Sequence, residues 1–153
     1  MKLSILTVGK RHDAALIDAI EGYQKRLERG FVVEWVYIAP STLQLNEARK
    51  VESAKILARL KDSDMVWLLD ERGEQISSPA LSAKIHTLKI HAVGRLVIVI
   101  GGAYGVDDTI RSRANWVWSL SKLVIPHQIV RLLIVEQLYR ALQIEKGTGY
   151  HHA

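Results

Sequence analysis

An α/β domain on a largely parallel sheet is what this sequence predicts, and three features predict it. Apolar residues switch between a period of two and one of about 3.6 along the chain, the mark of strands and helices taking turns. The run "RLVIVIGG" at 95–102 is apolar on both faces, as a central parallel strand requires. And 153 residues, 48% of them hydrophobic, suffice for one domain spanning 1–153 with a real core.

The elements follow in order. "KLSILTVG" opens as a strand, and Leu16, Ile20, Tyr23 and Leu27 then share one helical face that Gly30 stops. "FVVEWVYIA" is the second strand; "NEARKVESAKILARLKD" is a helix capped by Asn46 with a charged outer face. "DMVWLLDE" forms the third strand. In "SSPALSAKIHTLKIHAVG", Ser78 caps, Pro79 takes the first position and Gly94 ends the helix. After the 95–102 strand, "DDTIRSRAN" is a short helix begun by Asp107 or Asp108. "WVWSLSKLVIPHQ" holds a short strand, then a Ser/Lys loop running into Pro126. From His127 to Ile144 the chain is helical and apolar nearly all round, which predicts burial on every side, most economically against a second subunit.

Composition narrows the function. Without cysteine, neither disulfides nor thiolate metal sites are available. Arg131 and Glu136 interrupt "RLLIVEQL", so no run reaches membrane-spanning length, and the N-terminus lacks a signal-peptide cleavage region. A cytoplasmic protein is expected. Its net charge of +5 favours a polyanionic partner, above all nucleic acid. Lys10, Arg11, His12, Lys25, Arg26 and Arg29 gather around the first helix, as a solvated face or as phosphate contacts.

Four stretches carry chemistry. "VIVIGGAYGVDD" places Gly101, Gly102 and Gly105 straight after a strand, either for a tight turn or for a ligand that approaches the backbone. The dinucleotide fingerprint fails here: the pattern is G-G-x-x-G and no acid stands near position 121. The phosphate loop G-x-x-x-x-G-K-[ST] is absent as well, so redox and triphosphate readings fall together. In "WSLSKLVIPHQ", the backbone around Ser119, Ser121 and Lys122 can read an uncharged adenine edge, or simply join a strand to a helix. The terminal "GTGYHHA" offers Tyr150, His151 and His152, as a frayed end or as a tail reaching into a neighbouring site; with no third ligand, no metal is expected. In the last helix Arg131 stands ready to contact phosphate or support the adjoining loop, and Glu136 pairs with Arg140 at i and i+4.

Together "ILTVGK", "IGGAYG", "WSLSKLVIPHQIVRLLIVEQLYRA" and the terminal "YHH" resemble the SPOUT-class methyltransferases that modify pseudouridine in large-subunit ribosomal RNA, the methyltransferase H family. The similarity runs the full length, and the long C-terminal motif is the specific part. It implies an α/β knot, with the C-terminal part threaded through a loop, against the usual absence of knots. It further implies S-adenosylmethionine as methyl donor, a homodimer, and pseudouridine N3 of 23S rRNA on the assembled ribosome as substrate. The alternative is a non-catalytic RNA-binding knot protein.

Position by position, the resemblance puts the donor site at Leu69, Gly101 and the run Leu120, Ser121, Lys122, Leu123, Val124, Ile125. The catalytic set expected with it is His151, Tyr150 and Arg131, with His151 the better candidate for general base because an imidazole can take a proton near neutrality and a phenol cannot. Relatives commonly place Arg or Lys after Tyr-His; here His152 stands instead, and a phosphate contact from that position is in doubt.

Overall fold

The computed structural model describes residues 1–152; the terminal Ala153 lies outside it. Its first strand β1 (Lys2–Val8) is followed by α1 (Ile17–Leu27), β2 (Val32–Ile38), α2 (Leu45–Leu57), β3 (Met65–Glu74) and α3 (Ser78–Ile90). Then come β4 (Arg95–Ile100), α4 (Asp108–Arg113), β5 (Trp116–Trp118) and α5 (His127–Glu145). The five strands form one sheet in the order β2-β1-β4-β3-β5, every pairing parallel. β1 and β4 lie inside the sheet and are buried on both faces, which explains why neither alternates polar with apolar.

Successive side chains feed two cores. On one face Leu3, Ile5, Trp67 and Ile98 pack under α1, α3 and α5; on the other Leu6, Val66, Val97 and Val99 pack under α2 and α4. The chain therefore leaves β1 towards one face and β4 towards the opposite face, although the two strands are neighbours. A crevice opens at their carboxyl ends, where parallel α/β sheets hold ligands.

Several boundaries differ from expectation. Asn46 lies inside α2 rather than capping it; Gln44 occupies the cap position without a side-chain bond, and Leu45 enters left-handed at φ 51°. α2 stops at Leu57, not Asp62, because the chain turns back through Lys61 N–H donating to Asp64 Oδ2 at 2.8 Å. Ser77, not Ser78, caps α3 by accepting from the Ala80 amide at 3.3 Å, while Ser78 Oγ donates to Gln137 Oε1 at 2.9 Å. The left-handed residue behind α3 is Ala92 rather than Gly94. Asp107 does cap α4, its Oδ1 accepting from the amides of Thr109 (3.0 Å) and Ile110 (3.4 Å). α5 buries Ile134, Val135, Leu138, Ala141 and Leu142 between α1, α3 and the sheet, so most of its all-round apolarity is satisfied within its own chain.

Candidate active site

The strand ends Val8, Leu69, Ile100 and Trp118 form the floor of a cleft of about 1080 Å³. One wall is the glycine turn 101–106 and another the loop 119–126; Gly9 and Lys10 close the β1 side. Of the expected donor-site residues, Leu69, Gly101, Leu120, Ser121, Leu123, Val124 and Ile125 line this cleft. Lys122 does not; it is exposed on the outer side of the loop. Serine hydroxyls shape that loop: Ser119 Oγ donates to the Ser121 carbonyl at 2.9 Å, and Ser121 Oγ accepts from the Leu123 amide at 3.0 Å.

The glycine turn closes through Gly105 N–H donating to Gly102 O at 3.0 Å. A Cβ on Gly101 would stand 3.1 Å from Val106 Cγ1 and 3.2 Å from the Gly105 carbonyl carbon. On Gly102 it would stand 2.5 Å from Glu52 Oε2. At both positions the protein itself occupies the space, so these glycines serve the turn. Gly105 differs: its φ is +73° and nothing lies within 4 Å of a side chain there. The turn is thus both self-closed and a cleft wall.

Charge is distributed unevenly. Burial raises the Asp70 carboxyl, yet hydrogen bonds from Arg72 and Arg111 outweigh it and hold the group below the usual carboxylate range. Arg49 donates Nε–H to the Tyr104 carbonyl at 2.9 Å, fastening α2 to the glycine turn. His127 lines the cleft where α5 begins, and burial, reinforced by Arg131, depresses both it and His12.

Arg131 is 0% exposed. Its Nη1 donates to the Lys10 carbonyl at 2.8 Å, and its guanidinium lies 5.7 Å from the centre of the Tyr37 ring. Its contacts are with Lys10 and Tyr37 on the β1 side, rather than with an open surface or with the 119–126 loop that the sequence reading had it support. Nε and Nη2 have no partner among the described residues.

The tail is packed rather than frayed. Tyr150 Oη donates to Glu136 Oε1 at 3.2 Å, lies 3.4 Å from Tyr23 Oη, and sets its ring edge-on to Tyr139 at 4.8 Å. Burial, with the Tyr23 hydrogen bond and the Glu136 charge, pushes its phenol above the usual range, so it stays protonated. Arg140 bonds Glu136 as expected and donates Nη1–H to His151 Nδ1 at 3.4 Å. None of Tyr150, His151 or Arg131 lines the cleft of the same chain. His152 is exposed.

A family model described as "Predicted SPOUT methyltransferase" matches residues 1–151. The chain belongs to the SPOUT methyltransferase family. It is 41% identical over 155 residues to a protein of Cytophaga hutchinsonii named "Ribosomal RNA large subunit methyltransferase H", covering 99% of this chain and 100% of the relative. A protein of the same name from Lactobacillus delbrueckii subsp. bulgaricus is 37% identical over 158 residues, covering 99% of each. Among solved structures, "a probable methylase family protein from Haemophilus influenzae Rd KW20" superposes with a TM-score of 0.59 at 12% identity, over 99% of this chain and 70% of that one; it supports the fold.

As a SPOUT methyltransferase the chain needs a methyl-donor site, and the cleft brings together residues the sequence singled out. Sequence reasoning passed over Glu52, Ser41, Arg49 and Gly9, which also line it. One signal was present: Ala48, Glu52 and Ile56, at i, i+4 and i+8, put a carboxylate in the buried stripe of α2.

Proposed function

We propose that this SPOUT methyltransferase moves a methyl group from S-adenosylmethionine to N3 of a pseudouridine in large-subunit ribosomal RNA, as a cytoplasmic homodimer on the assembled ribosome. The observation that carries the proposal is the convergence of Leu69, Gly101 and the 120–125 loop on one cleft in a chain aligned end to end with the methyltransferase H relatives. The α/β knot, with the C-terminal part threaded through a loop, belongs to the same proposal and rests on membership of the SPOUT family.

The cleft suits the donor. Its loop backbone offers uncharged N–H and C=O groups for an adenine edge, its floor is apolar, and open space beside Gly105 lets a ligand approach the backbone. When bound, S-adenosylmethionine supplies an activated methyl on a sulfonium. Pseudouridine N3 titrates about two units above neutrality, so its deprotonation costs roughly 3 kcal/mol at pH 7. That demand is small, and in-line positioning with one general base meets it.

His151 is assigned the base and Tyr150 the placement of the pseudouridine. Both lie away from their own cleft, so the tail is assigned to the cleft of a partner subunit. Leu123 and Val124, 75% and 85% exposed at the cleft mouth, are apolar surface that a second subunit would cover. Before His151 Nδ1 accepts a proton it must give up the Arg140 contact, which directs an N–H at that nitrogen. Arg131 holds the β1 end in place through Lys10. Exposed Lys10, Arg11, Lys25 and Arg29 give the basic surface for rRNA phosphates.

Calorimetry with S-adenosylmethionine and NADH tests the donor assignment: the first should bind and the second should not. An absence of S-adenosylmethionine binding by the folded protein overturns it.

A further inference from the structure

The β1–α1 loop, which begins at Gly9, is fastened to the first turns of α5 by its backbone. Lys10 O accepts from Arg131 Nη1 at 2.8 Å, and Arg11 O accepts from Gln128 Nε2 at 3.4 Å. The other end of the Gln128 amide, Oε1, accepts from the Asp13 N–H at 3.0 Å. His12 is the inward peg of the loop: its ring stands edge-on to Trp35 and Tyr37 at 4.4 and 5.7 Å, with Nε2 3.2 Å from Tyr37 Oη. The side chains before it, Lys10 and Arg11, are exposed. Neither enters an ion pair among the described residues.

Other cations nearby are directed elsewhere. Of those in the cleft wall, Arg49 donates to the Tyr104 carbonyl and Arg72 to Asp70. On α1, Arg26 lies against the rings of Tyr23 and Tyr139, at 5.2 and 5.6 Å. Lys10, by contrast, lines the cleft beside Gly9 without an ion pair, and Arg11 follows it. Ordering a loose loop around an anion would cost conformational entropy; here the contacts from α5 have already ordered it. Unpaired cations fixed at the rim of a cleft suit a polyanion, and phosphate contacts of this kind set where a strand lies without reading its sequence. We propose that Gln128 is a positioning residue for the RNA substrate: it clamps the β1–α1 loop so that Lys10 and Arg11 meet two backbone phosphates of the strand entering the cleft. This rests on the RNA-substrate reading above.

Co-sedimentation with ribosomes over a range of salt concentrations tests it, alongside calorimetry with S-adenosylmethionine. Lys10→Gln/Arg11→Gln should weaken ribosome binding by roughly 10-fold or more at low salt. It should also flatten the slope of log affinity against log salt by about 1.4, two contacts at about 0.7 each on a single strand. Gln128→Ala should weaken ribosome binding roughly 3- to 10-fold with both cations still present, the scale of lost uncharged hydrogen bonds, and leave donor affinity unchanged. In the Lys10→Gln/Arg11→Gln background the same substitution should cost under about 2-fold, because Gln128 acts through those two side chains. Should Gln128→Ala fail to fold, Gln128→Asn, whose amide falls one methylene short of the loop, carries the same comparison. An unaltered salt slope in Lys10→Gln/Arg11→Gln overturns the phosphate contacts. Equal costs of Gln128→Ala in the two backgrounds overturn its positioning role. A wild type that binds the donor but not the ribosome overturns the RNA-substrate reading and this role with it.

Discussion

Replacing Gly102 with alanine isolates the packing between the glycine turn and α2. Its φ is not in the left-handed region, so the backbone accepts an alanine and only space is at issue. The new Cβ would stand 2.5 Å from Glu52 Oε2 and 3.1 Å from Val8 Cγ1. The carboxylate must withdraw by roughly 1 Å to reach ordinary contact. It is held at its other oxygen by the Ser41 amide at 3.0 Å, and a movement of that size breaks the bond. Losing a hydrogen bond to a charged group costs about 1.5–3 kcal/mol. Gly102→Ala should therefore destabilise the protein by about 2 kcal/mol, a drop of roughly 4–8 °C in Tm for a domain of this size. In a Glu52→Ala background the closer obstruction is gone and only the 3.1 Å contact to Val8 Cγ1 remains, so the same substitution should cost under about 1 kcal/mol. Urea unfolding of the four proteins gives the coupling energy directly. Equal costs of Gly102→Ala in the two backgrounds would refute the claim that Glu52 is why position 102 is glycine.

Three further outcomes follow from the same geometry. Gly73→Ala would set a Cβ 2.5 Å from the Val117 carbonyl oxygen, a backbone atom of β5 that cannot swing aside, so urea unfolding should show a loss above about 3 kcal/mol; a loss under about 0.5 kcal/mol contradicts the β3–β5 register. Burial and Arg131 hold His12 and His127 below their ordinary 6.5, so the unfolded chain protonates first and their stabilisation, complete above about pH 6.5, is lost as pH falls through that value towards the folded values; the urea midpoint should drop between pH 7.5 and 5.5, less so in a His12→Gln/His127→Gln protein, and an identical drop in both counts against it. Deleting residues 150–153 should leave S-adenosylmethionine binding largely intact yet slow single-turnover methyl transfer to ribosomes by roughly 100-fold or more, with His151→Ala reproducing much of the loss and His152→Ala little of it; full activity in the truncated protein removes the tail from catalysis.

Strands and helices were legible because period decides them locally. "RLVIVI" could only be a strand buried on both faces, and Asp107 could be read as a cap from its position before a short helix. The order β2-β1-β4-β3-β5 was not legible, since β1–β4 pairing joins residues over 90 positions apart, Lys2 with Arg95 among them. The glycine turn showed the opposite difficulty. Its composition marked a turn, but whether ligand or protein fills the space at Gly102 depends on Glu52, a residue of another element. Glu52 itself reads in sequence as a gap in an apolar stripe. The tail was ambiguous for a similar reason: Tyr150 finds its partners at Tyr23, Glu136 and Tyr139, and no local pattern announces them.

Methyl transfer to a single nitrogen of ribosomal RNA is open to direct measurement. The measurement that meets it most directly incubates the wild-type protein with labelled S-adenosylmethionine and assembled ribosomes from a strain lacking the corresponding gene, then maps the label by mass spectrometry. One methyl group at N3 of a pseudouridine in the large-subunit RNA is the predicted result. Label on another atom, on protein or on small-subunit RNA, or no transfer by a protein that binds the donor, would contradict it.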